Sequence, residues 1–392
     1  MRVALVYFGA GGGHVACARA LTESIRRQAR SWQVELIDLD QVLEPIDLVY
    51  RLTGLHSKSI YNWALRRGWT SASGPCLAML HAWIRATHMP SVQLLRKLWR
   101  ATRPKPDLVL SVIPHYNRAL YESLRAEHPG TPFVTLLTDL ADYPPRFWFE
   151  SQDQHFICGT ATAAQQAAEL CSPQSQIWRV SGMVLHPGFH DRRDCDIAAE
   201  RRQLGLDPHL PTGVVLFGGY GCNRMLPIAR CLRNSRVQMI FLCGRNTRLA
   251  ERLRGLSLPY PAHIQEYTDR VPFYMGLSDF FIGKPGPGAV SEALAMRLPV
   301  IVEENHNTMV HERFNAHWIR HEQVGLVIRS TAELPAAIEE LLSAGVREQM
   351  LQSIARFNNR AAYEVPAVLE KIVARETGRS PAEVLPGHIG LV

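Results

Sequence analysis

Residues 280–302 read FFIGKPGPGAVSEALAMRLPVIV, and this stretch sets the expected fold. Two apolar runs, Phe280–Ile282 and Pro299–Val302, flank a glycine and proline turn and a helical pattern that begins near Ala289. Short apolar runs that alternate with helices are typical of a parallel sheet covered by helices. Lys284 adds positive charge to the turn, and the start of the helix presents N–H groups that favour phosphate. With Glu292 placed to accept ribose hydroxyls, the stretch predicts a nucleoside diphosphate site.

The same alternation of strands and helices runs along the whole chain. The other predicted strands are Val3–Phe8, Val34–Leu39, Leu108–Ile113, Phe133–Leu137, His155–Cys158, Gly213–Phe217, Val237–Cys243 and Gly325–Ile328. A chain of 392 residues exceeds the size, about 250–300 residues, at which a single core stops growing. We therefore predict an α/β fold of two doubly wound domains with a boundary near residue 187. The last helical pattern, about 335–377, is long enough to pack on one domain and cross towards the other.

Glycines also follow the first predicted strand, where Gly12 and Gly13 precede His14 at the start of a helical pattern. Glycines let a ligand approach the backbone, and a histidine can act as a general base near neutral pH. The alternative is that His14 only satisfies backbone groups at the helix start. His115 and Asp139 follow two further predicted strands, so we expect them at the same edge of the sheet.

A dinucleotide-binding turn and a metal site are competing interpretations of nearby motifs. A G-x-G-x-x-G pattern counted from Gly9 places His14 at its third glycine, although Asp38 would suit a ribose contact. The histidine argues against a nicotinamide enzyme. Two D-x-D pairs, at 38–40 and 194–196, resemble those that hold a divalent ion on a diphosphate. The first pair lies in the first domain, whereas the predicted nucleoside diphosphate site lies in the second, and the other pair lies in the predicted linker. We interpret both as solvated turns.

The positive charge of the chain is concentrated in one segment. Residues 48–106 contain ten Lys or Arg, no Asp or Glu, and four of the eight tryptophans. Basic side chains near an anionic bilayer contribute about 1 kcal/mol each, and tryptophan prefers the headgroup level. A solvated helical face with core tryptophans is the alternative, and no motif for binding nucleic acid is present. The candidate membrane-facing residues are Trp63, Arg66, Arg67, Trp69, Arg96, Lys97 and Trp99.

The eight cysteines show neither a CxxC pair nor a regular spacing, so neither a zinc site nor a disulfide framework is predicted. No apolar run approaches 18 residues, and the N-terminal run reads as a strand rather than as a signal peptide. The sequence therefore predicts a cytoplasmic protein whose contact with membranes is peripheral.

Several motifs resemble those of the GT-B fold glycosyltransferases that include monogalactosyldiacylglycerol synthase, with the peptidoglycan N-acetylglucosaminyltransferase as a more distant relative. The motifs are GGGH at 11–14, TDL at 138–140, LCGRN at 242–246, GKPGPGAVSEAL at 283–294 and LPVIV at 298–302. The resemblance implies a GT-B fold of two Rossmann-like domains that face each other across a cleft. Residues 1–186 would bind the acceptor and residues 187–365 a UDP-sugar, with a tail, 366–392, that can return to the first domain.

The resemblance also implies roles for individual residues. His14 and Asp139 would be catalytic, and Gly12, Gly13 and His115 would lie on the acceptor side. The implied donor-binding residues are Gly218, Gly219, Arg245, Lys284, Gly286, Pro287, Gly288, Ala289, Ser291, Glu292, His311 and Glu312. Relatives often carry glutamine in the region of His311, and residues 305–310 also depart from the family pattern, so galactose is not assumed as the sugar.

The implied activity is inverting transfer of a hexose from a UDP-sugar to a membrane lipid, with diacylglycerol as the expected acceptor. No metal and no other cofactor is expected, and the expected location is the inner face of the cell membrane. Three alternatives remain at this stage. They are a UDP-sugar epimerase, a glycosyltransferase for another acceptor, and a catalytically inactive membrane-binding nucleotide sensor.

Overall fold

The computed structural model of the protein describes residues 1–9, 12–67, 73–191 and 196–378. This part of the chain contains two six-stranded sheets in which all paired strands are parallel. The strands of the first sheet are β1 (Arg2–Tyr7), β2 (Gln33–Asp38), β3 (Leu108–Ser111), β4 (Phe133–Leu136), β5 (His155–Cys158) and β6 (Gln176–Arg179). Those of the second are β7 (Thr212–Leu216), β8 (Gln238–Leu242), β9 (Ala262–Gln265), β10 (Phe280–Gly283), β11 (Val300–Glu303) and β12 (Gly325–Ile328).

Helices connect the strands. The helices up to the end of the first sheet are α1 (Gly13–Arg27), α2 (Leu39–Val42), α3 (Leu48–Thr53), α4 (Ser57–Arg67), α5 (Ser73–Ala86), α6 (His88–Ala101), α7 (Asn117–Glu127) and α8 (Ala161–Leu170). Those that follow are α9 (Ile197–Gln203), α10 (Met225–Cys231), α11 (Thr247–Arg254), α12 (Val271–Gly276), α13 (Pro287–Ala295), α14 (Val310–Glu322), α15 (Leu334–Leu342), α16 (Ala344–Ile354) and α17 (Ala361–Thr377).

The strand order places the site-bearing loops. The orders are β2-β1-β3-β4-β5-β6 and β9-β8-β7-β10-β11-β12. In each sheet the connections reverse direction beside its first strand, between β1 and β3 and between β7 and β10. Open parallel sheets bind ligands at such a switch point, beyond the carboxyl ends of the strands. The loops that leave β1 and β3, and those that leave β7 and β10, are therefore the places where ligands are expected.

Two strands, β6 and β9, are missing from the sequence prediction. Both lie at an edge of their sheet, so each pairs on one side only. Residues of β6 alternate between half-buried and exposed, and β9 is half-buried throughout. Edge strands of this kind carry polar residues and lack the continuous apolar run that marks an inner strand. The predicted final helical stretch is also divided, into α15, α16 and α17.

Residue contacts divide the chain into two units. Unit 1 comprises Met1–Ser59, Pro75–Pro187 and Asn359–Val392, and unit 2 comprises Ile60–Gly74 and Gly188–Asn358. The first sheet lies in unit 1 and the second in unit 2. Two details differ from the predicted division. The return to unit 1 begins at Asn359 rather than at residue 366, and the boundary inside α4 assigns part of segment 48–106 to unit 2.

Each unit has its own apolar core. In unit 1, one face of the sheet packs against α1 and α17, where Leu21 and Ile25 meet Val365, Leu369 and Ile372. The other face is covered by α6 and α7. In unit 2, β7, β8 and β10 pack against α10, α11 and α15. These cores hold the switch-point loops on rigid strands.

Candidate functional site

The loops at the switch point of the second sheet enclose a pocket within unit 2, which we name the glycine-loop pocket. It contains about 720 Å³ of empty space, its open mouth included. Its lining residues are Phe217, Gly218, Gly219, Tyr220, Gly221, Cys222, Arg224, Lys284, Pro285, Glu303, Asn305, Asn307, Thr308, Met309 and Glu312. Four predicted donor-binding residues, Gly218, Gly219, Lys284 and Glu312, are thus brought together in one place.

Close backbone contact between two loops shapes this pocket. Gly221 has a φ of +62°, and a Cβ there would lie 2.1 Å from the carbonyl oxygen of Cys243. Gly244 has a φ of +55°, and its Cβ would lie 2.3 Å from the carbonyl oxygen of Gly219. The N–H of Arg245 donates to that same Gly219 oxygen at 2.9 Å. Only glycine allows the loops after β7 and β8 to approach this closely.

The start of α13 supplies backbone donors. Gly286 is the N-cap, Pro287 is the first helical residue, and the first N–H bonded within the helix is that of Val290, to Gly286. Pro287 has no N–H, so the donors at the helix start are those of Gly288 and Ala289. The positive end of the helix dipole adds to them. This geometry favours a negatively charged group beside the loop that carries Lys284.

Lys284 is held by an acidic residue that also belongs to the predicted site. Its Nζ lies 2.5 Å from Oε1 of Glu312, whose side chain is only 5% exposed. Asn315, one turn further along α14, donates from Nδ2 to the carbonyl oxygen of Pro285 at 2.8 Å. Helix α14 therefore fixes the glycine and proline loop from one side, and the lysine is positioned before any ligand arrives.

A second ion pair in the pocket was not predicted from the sequence. Arg224, just after the first glycine loop, is paired with Glu303 at the end of β11. Asn305 donates from Nδ2 to Glu303 Oε1 at 2.7 Å, and its own N–H bonds to Thr308 Oγ1 at 2.9 Å. The only signal for Glu303 in the sequence is its position directly after the apolar run 298–302.

The other predicted donor residues lie around the pocket rather than in its lining, among the residues that the structure describes. Glu292, on α13, is half-buried, and desolvation raises the pKa of its carboxyl from 4.5 to about 7. The guanidinium of Arg245 lies 4.5 Å from the ring centre of Tyr267, which is 50% exposed. His311 lies in the first turn of α14. The remaining residues of this group are Gly286, Pro287, Gly288, Ala289 and Ser291.

In unit 1, the corresponding loops hold His14. Gly12 caps α1 with a φ of +87°, and Gly13 and His14 form the first turn. His14 Nδ1 lies 2.7 Å from the carbonyl oxygen of Val112, directly beyond β3, and 3.4 Å from Thr138 Oγ1. The imidazole of His14 is therefore anchored beside the carboxyl ends of two strands, β3 and β4.

Asp139 is buried and bonded to a tryptophan that the sequence prediction missed. Trp148 Nε1 donates to Asp139 Oδ2 at 2.7 Å, and the Trp148 ring centre lies 6.4 Å from that of His14. The backbone of Trp148 is held in turn by Asp142, which accepts its N–H at 2.6 Å. Burial raises the pKa of the Asp142 carboxyl. Trp148 thus contacts both predicted catalytic residues.

His115 lies between aromatic rings in the same unit. Its ring centre is 5.1 Å from that of His81 on α5 and 4.8 Å from that of Phe147. Burial, with a smaller contribution from Arg85, lowers the pKa of His81. His115 and Phe147 lead from the switch-point loops of unit 1 to α5. This helix is apolar and carries the exposed residues Met79 and Leu80.

The D-x-D pairs are engaged in local structure where they are described. Asp38 caps α2, and Asp40 Oδ2 accepts the N–H of Gly9 at 3.0 Å. Asp196 caps α9. Residue 194 lies outside the described residues. Within the described ranges, no group of three or more His, Cys, Asp or Glu side chains is arranged to hold a metal ion.

The membrane-facing prediction is wrong for Trp99. This side chain is fully buried, and its Nε1 donates to Ser123 Oγ at 2.9 Å. The a-to-d spacing of Val92, Leu95 and Trp99 on α6 places all three in the core, so the tryptophan contributes to packing. Arg96 is partly exposed and paired with Glu127 at 2.6 Å.

The other residues of that prediction differ in exposure. Lys97 is exposed, and so is Trp63, with the guanidinium of Arg67 4.4 Å from its ring centre. Trp69 and the side chain of Arg66 lie outside the described residues. Among the helices of the described ranges, none combines the length and the apolar character that crossing a bilayer requires.

Comparison with known proteins finds similarity to glycosyltransferases. Residues 222–366 match the model of the glycosyltransferase family 28 C-terminal domain. The chain is 26% identical over 395 residues to monogalactosyldiacylglycerol synthase of Spinacia oleracea, a match that covers 95% of this chain and 71% of the spinach protein.

Solved structures show the same fold. MurG of Acinetobacter baumannii superposes with a TM-score of 0.54 at 13% identity, over 95% of this chain and all of the other. UGT89C1 of Arabidopsis thaliana, solved with UDP-L-rhamnose, superposes with a TM-score of 0.60 at 13% identity, over 96% of this chain and 98% of that one. The predicted GT-B fold and the predicted resemblance are confirmed. The chain has the GT-B fold, its residues 222–366 match the glycosyltransferase family 28 C-terminal domain, and over most of its length it is similar to the monogalactosyldiacylglycerol synthases.

Proposed function

We propose that this glycosyltransferase transfers a hexose from a UDP-sugar to the hydroxyl of a membrane lipid, with diacylglycerol as the expected acceptor and with inversion at the anomeric carbon. The observation that carries the proposal is the glycine-loop pocket. Its lining combines two cations with glycine loops beside the positive end of α13, which is a site for a diphosphate. The spinach relative is named for a galactolipid product, and UGT89C1 was solved with a UDP-sugar.

Unit 2 would bind the donor. Lys284 and the N–H groups at the start of α13 would face the diphosphate, and Glu292 would accept the ribose hydroxyls. When the bond between the anomeric carbon and the phosphate oxygen breaks, its electron pair stays on the diphosphate. Cations and helix-start dipoles that are already in place stabilise this charge without reorganisation. We propose that this arrangement replaces the metal ion that other transferases use.

Unit 1 would bind the acceptor and remove its proton. The carbonyl of Val112 accepts a hydrogen bond from Nδ1 of His14, which leaves the lone pair of the neutral ring on Nε2. That atom would take the proton of the acceptor hydroxyl while its oxygen bonds to the anomeric carbon. Asp139, bonded to Trp148, would act as a positioning residue for this wall of the site.

The exposed apolar helix α5 supports a lipid acceptor. Met79 is 67% exposed and Met89, at the start of α6, is 60% exposed, and neither helix contains an acidic residue. Exposed apolar side chains among basic ones are typical of a surface that enters the interfacial layer of a bilayer. The location that we propose is the inner face of the cell membrane, with peripheral attachment.

The test is an incubation with diacylglycerol in anionic vesicles and a panel of UDP-sugars, with and without EDTA, followed by mass analysis of the lipids. We expect a hexosyl lipid in both conditions. Product formation that EDTA abolishes and Mn²⁺ restores would contradict the metal-free donor site. Release of an isomerised UDP-sugar without any glycolipid would instead support an epimerase, and UDP binding without any turnover would support a nucleotide sensor.

A further inference from the structure

Four charged side chains line the glycine-loop pocket, and they form two ion pairs. Arg224 is paired with Glu303, and Lys284 with Glu312. The two cations follow β7 and β10, which are neighbouring strands at the switch point. The pocket therefore holds two positive and two negative groups.

The four groups differ in exposure. The side chains of Arg224 and Lys284 are each 34% exposed, whereas those of Glu303 and Glu312 are 11% and 5% exposed. The carboxylates thus lie behind the cations, away from solvent. A ligand that enters the pocket meets the positive groups first, and the buried carboxylates hold those groups in place. This layering favours an anionic ligand that has two charged centres.

Arg224 is suited to such a ligand. A guanidinium has five N–H donors in a planar fork, so it can keep a bond to Glu303 while it offers further donors to a phosphate oxygen. Glu303 is itself held by Asn305 at 2.7 Å, which limits its movement. The pair therefore does not need to break for Arg224 to bind an anion.

We infer that Arg224 is a diphosphate-binding residue and that it acts together with Lys284, so that the donor's leaving group is held by two cations on adjacent strand ends. The inference rests on the proposed function, because it assigns a residue to the proposed donor. It adds a cation that the sequence motifs did not indicate. As the bond between the sugar and the diphosphate breaks, both cations face the charge that develops on the leaving oxygen.

The experiment compares the binding of UDP with that of uridine, which lacks both phosphates, by calorimetric titration of the full-length protein. The wild type is compared with Arg224→Gln and with Arg230→Gln, a control at an exposed position of α10, the helix that follows Arg224. Loss of a charge-assisted hydrogen bond to phosphate predicts a Kd for UDP that is about 10-fold to 100-fold higher in Arg224→Gln. The Kd for uridine should stay within about twofold, and Arg230→Gln should match the wild type.

A second variant covers the case in which Arg224→Gln does not fold, since it leaves Glu303 without its partner. The double variant Arg224→Gln, Glu303→Gln replaces the ion pair by two neutral amides. It should show the same selective loss of UDP binding. An equal weakening of UDP and uridine, or unchanged UDP binding, in either folded variant would overturn the role of Arg224 alone. A wild type that binds neither UDP nor uridine would overturn the proposed donor, and this inference with it.

Discussion

His14 Nδ1 and the carbonyl oxygen of Val112 lie 2.7 Å apart, which links the first turn of α1 to the end of β3. A carbonyl oxygen can only accept a hydrogen bond, so Nδ1 carries the proton of the neutral ring and Nε2 keeps its lone pair. The fold thus selects the tautomer in which Nε2 can receive a proton. It does so with a backbone group that no side-chain substitution can remove.

Replacement of His14 by alanine should reduce turnover without a loss of donor binding. We expect kcat to fall about 10²-fold to 10⁴-fold, the usual contribution of a general base. The Kd for UDP should stay within about twofold, because the glycine-loop pocket is formed entirely by unit 2. Glycolipid synthesis and UDP titration measure the two quantities. His321→Ala, at a position with a 72% exposed side chain, is the control. Wild-type turnover in His14→Ala would show that the base is another group.

Glu292→Ala should weaken UDP binding, because it removes the proposed acceptor of the ribose hydroxyls. We expect a Kd for UDP about 10-fold higher, with a smaller change for Glu292→Gln, which keeps one acceptor oxygen. A parallel titration with free pyrophosphate, which has no ribose, is the control, and its affinity should not change in either variant. Equal losses for UDP and pyrophosphate would mean that Glu292 acts on the shape of the loop instead.

The raised pKa of Glu292 predicts a pH dependence of stability. Its carboxyl has a pKa of about 7 in the folded protein against an ordinary 4.5, so the folded state binds the proton more tightly. The resulting stabilisation is complete below pH 4.5 and is lost as the pH rises to about 7. Glu292→Gln lacks this loss, and from pH 5 to pH 8 it should gain on the order of 1–3 kcal/mol relative to the wild type.

Urea unfolding of both proteins at pH 5 and pH 8 measures this difference. The comparison is made between the two proteins at each pH, so that other titrating groups cancel. An identical pH dependence of the two free energies of unfolding would show that the Glu292 carboxyl has an ordinary pKa in the folded protein.

Gly221 and Gly219 form a matched pair for the loop geometry. A methyl group at Gly221 would meet the Cys243 carbonyl in a left-handed backbone conformation, whereas a methyl group at Gly219 would meet nothing within 4 Å. Gly221→Ala should therefore lower the free energy of unfolding by at least about 1–3 kcal/mol. Gly219→Ala should leave it nearly unchanged. Equal midpoints in a urea titration would argue against the close approach of the two loops.

Arg96 and Lys97 are neighbours with different environments, and they provide a direct test of membrane attachment. Arg96 is paired with Glu127, whereas Lys97 is exposed. Lys97→Gln should weaken binding to anionic vesicles about fivefold, which corresponds to about 1 kcal/mol for one basic side chain near the surface. Arg96→Gln should have a smaller effect, since Glu127 already compensates its charge. Co-sedimentation with vesicles measures both effects. Unchanged binding in Lys97→Gln would show that the exposed side of α6 is an ordinary solvated face.

Most inner strands and both switch-point loops could be predicted from the sequence. The apolar run of β5 coincides with the observed strand, because an inner parallel strand buries both faces and leaves a continuous signal. The edge strands β6 and β9 were not predicted, because polar residues interrupt their apolar runs. The glycine motifs led to Gly218, Gly219 and Lys284, because glycine-rich turns after strands are short and local.

Other parts of the site depend on contacts between residues that are distant in the sequence. No sequence pattern near Arg224 indicates that Glu303 is its partner. Trp148 bonds to Asp139 only because the loop after β4 folds back. The prediction for Trp99 is wrong for a related reason. The segment around Trp99 has the composition of an interfacial segment, but the burial of its indole against Ser123 follows from the packing of α6 on α7.

The position of α17 has a consequence for how the chain folds during its synthesis on the ribosome. The helix that covers α1 begins at residue 361, so the sheet that is translated first acquires its last layer when translation is almost complete. The segment 188–358, in contrast, holds the complete second sheet in one uninterrupted run. The nascent protein can thus complete its second sheet first, while Leu21 and Ile25 of α1 still lack their packing contacts with Val365 and Leu369. Fragments that end before residue 359 should expose this apolar stripe and aggregate.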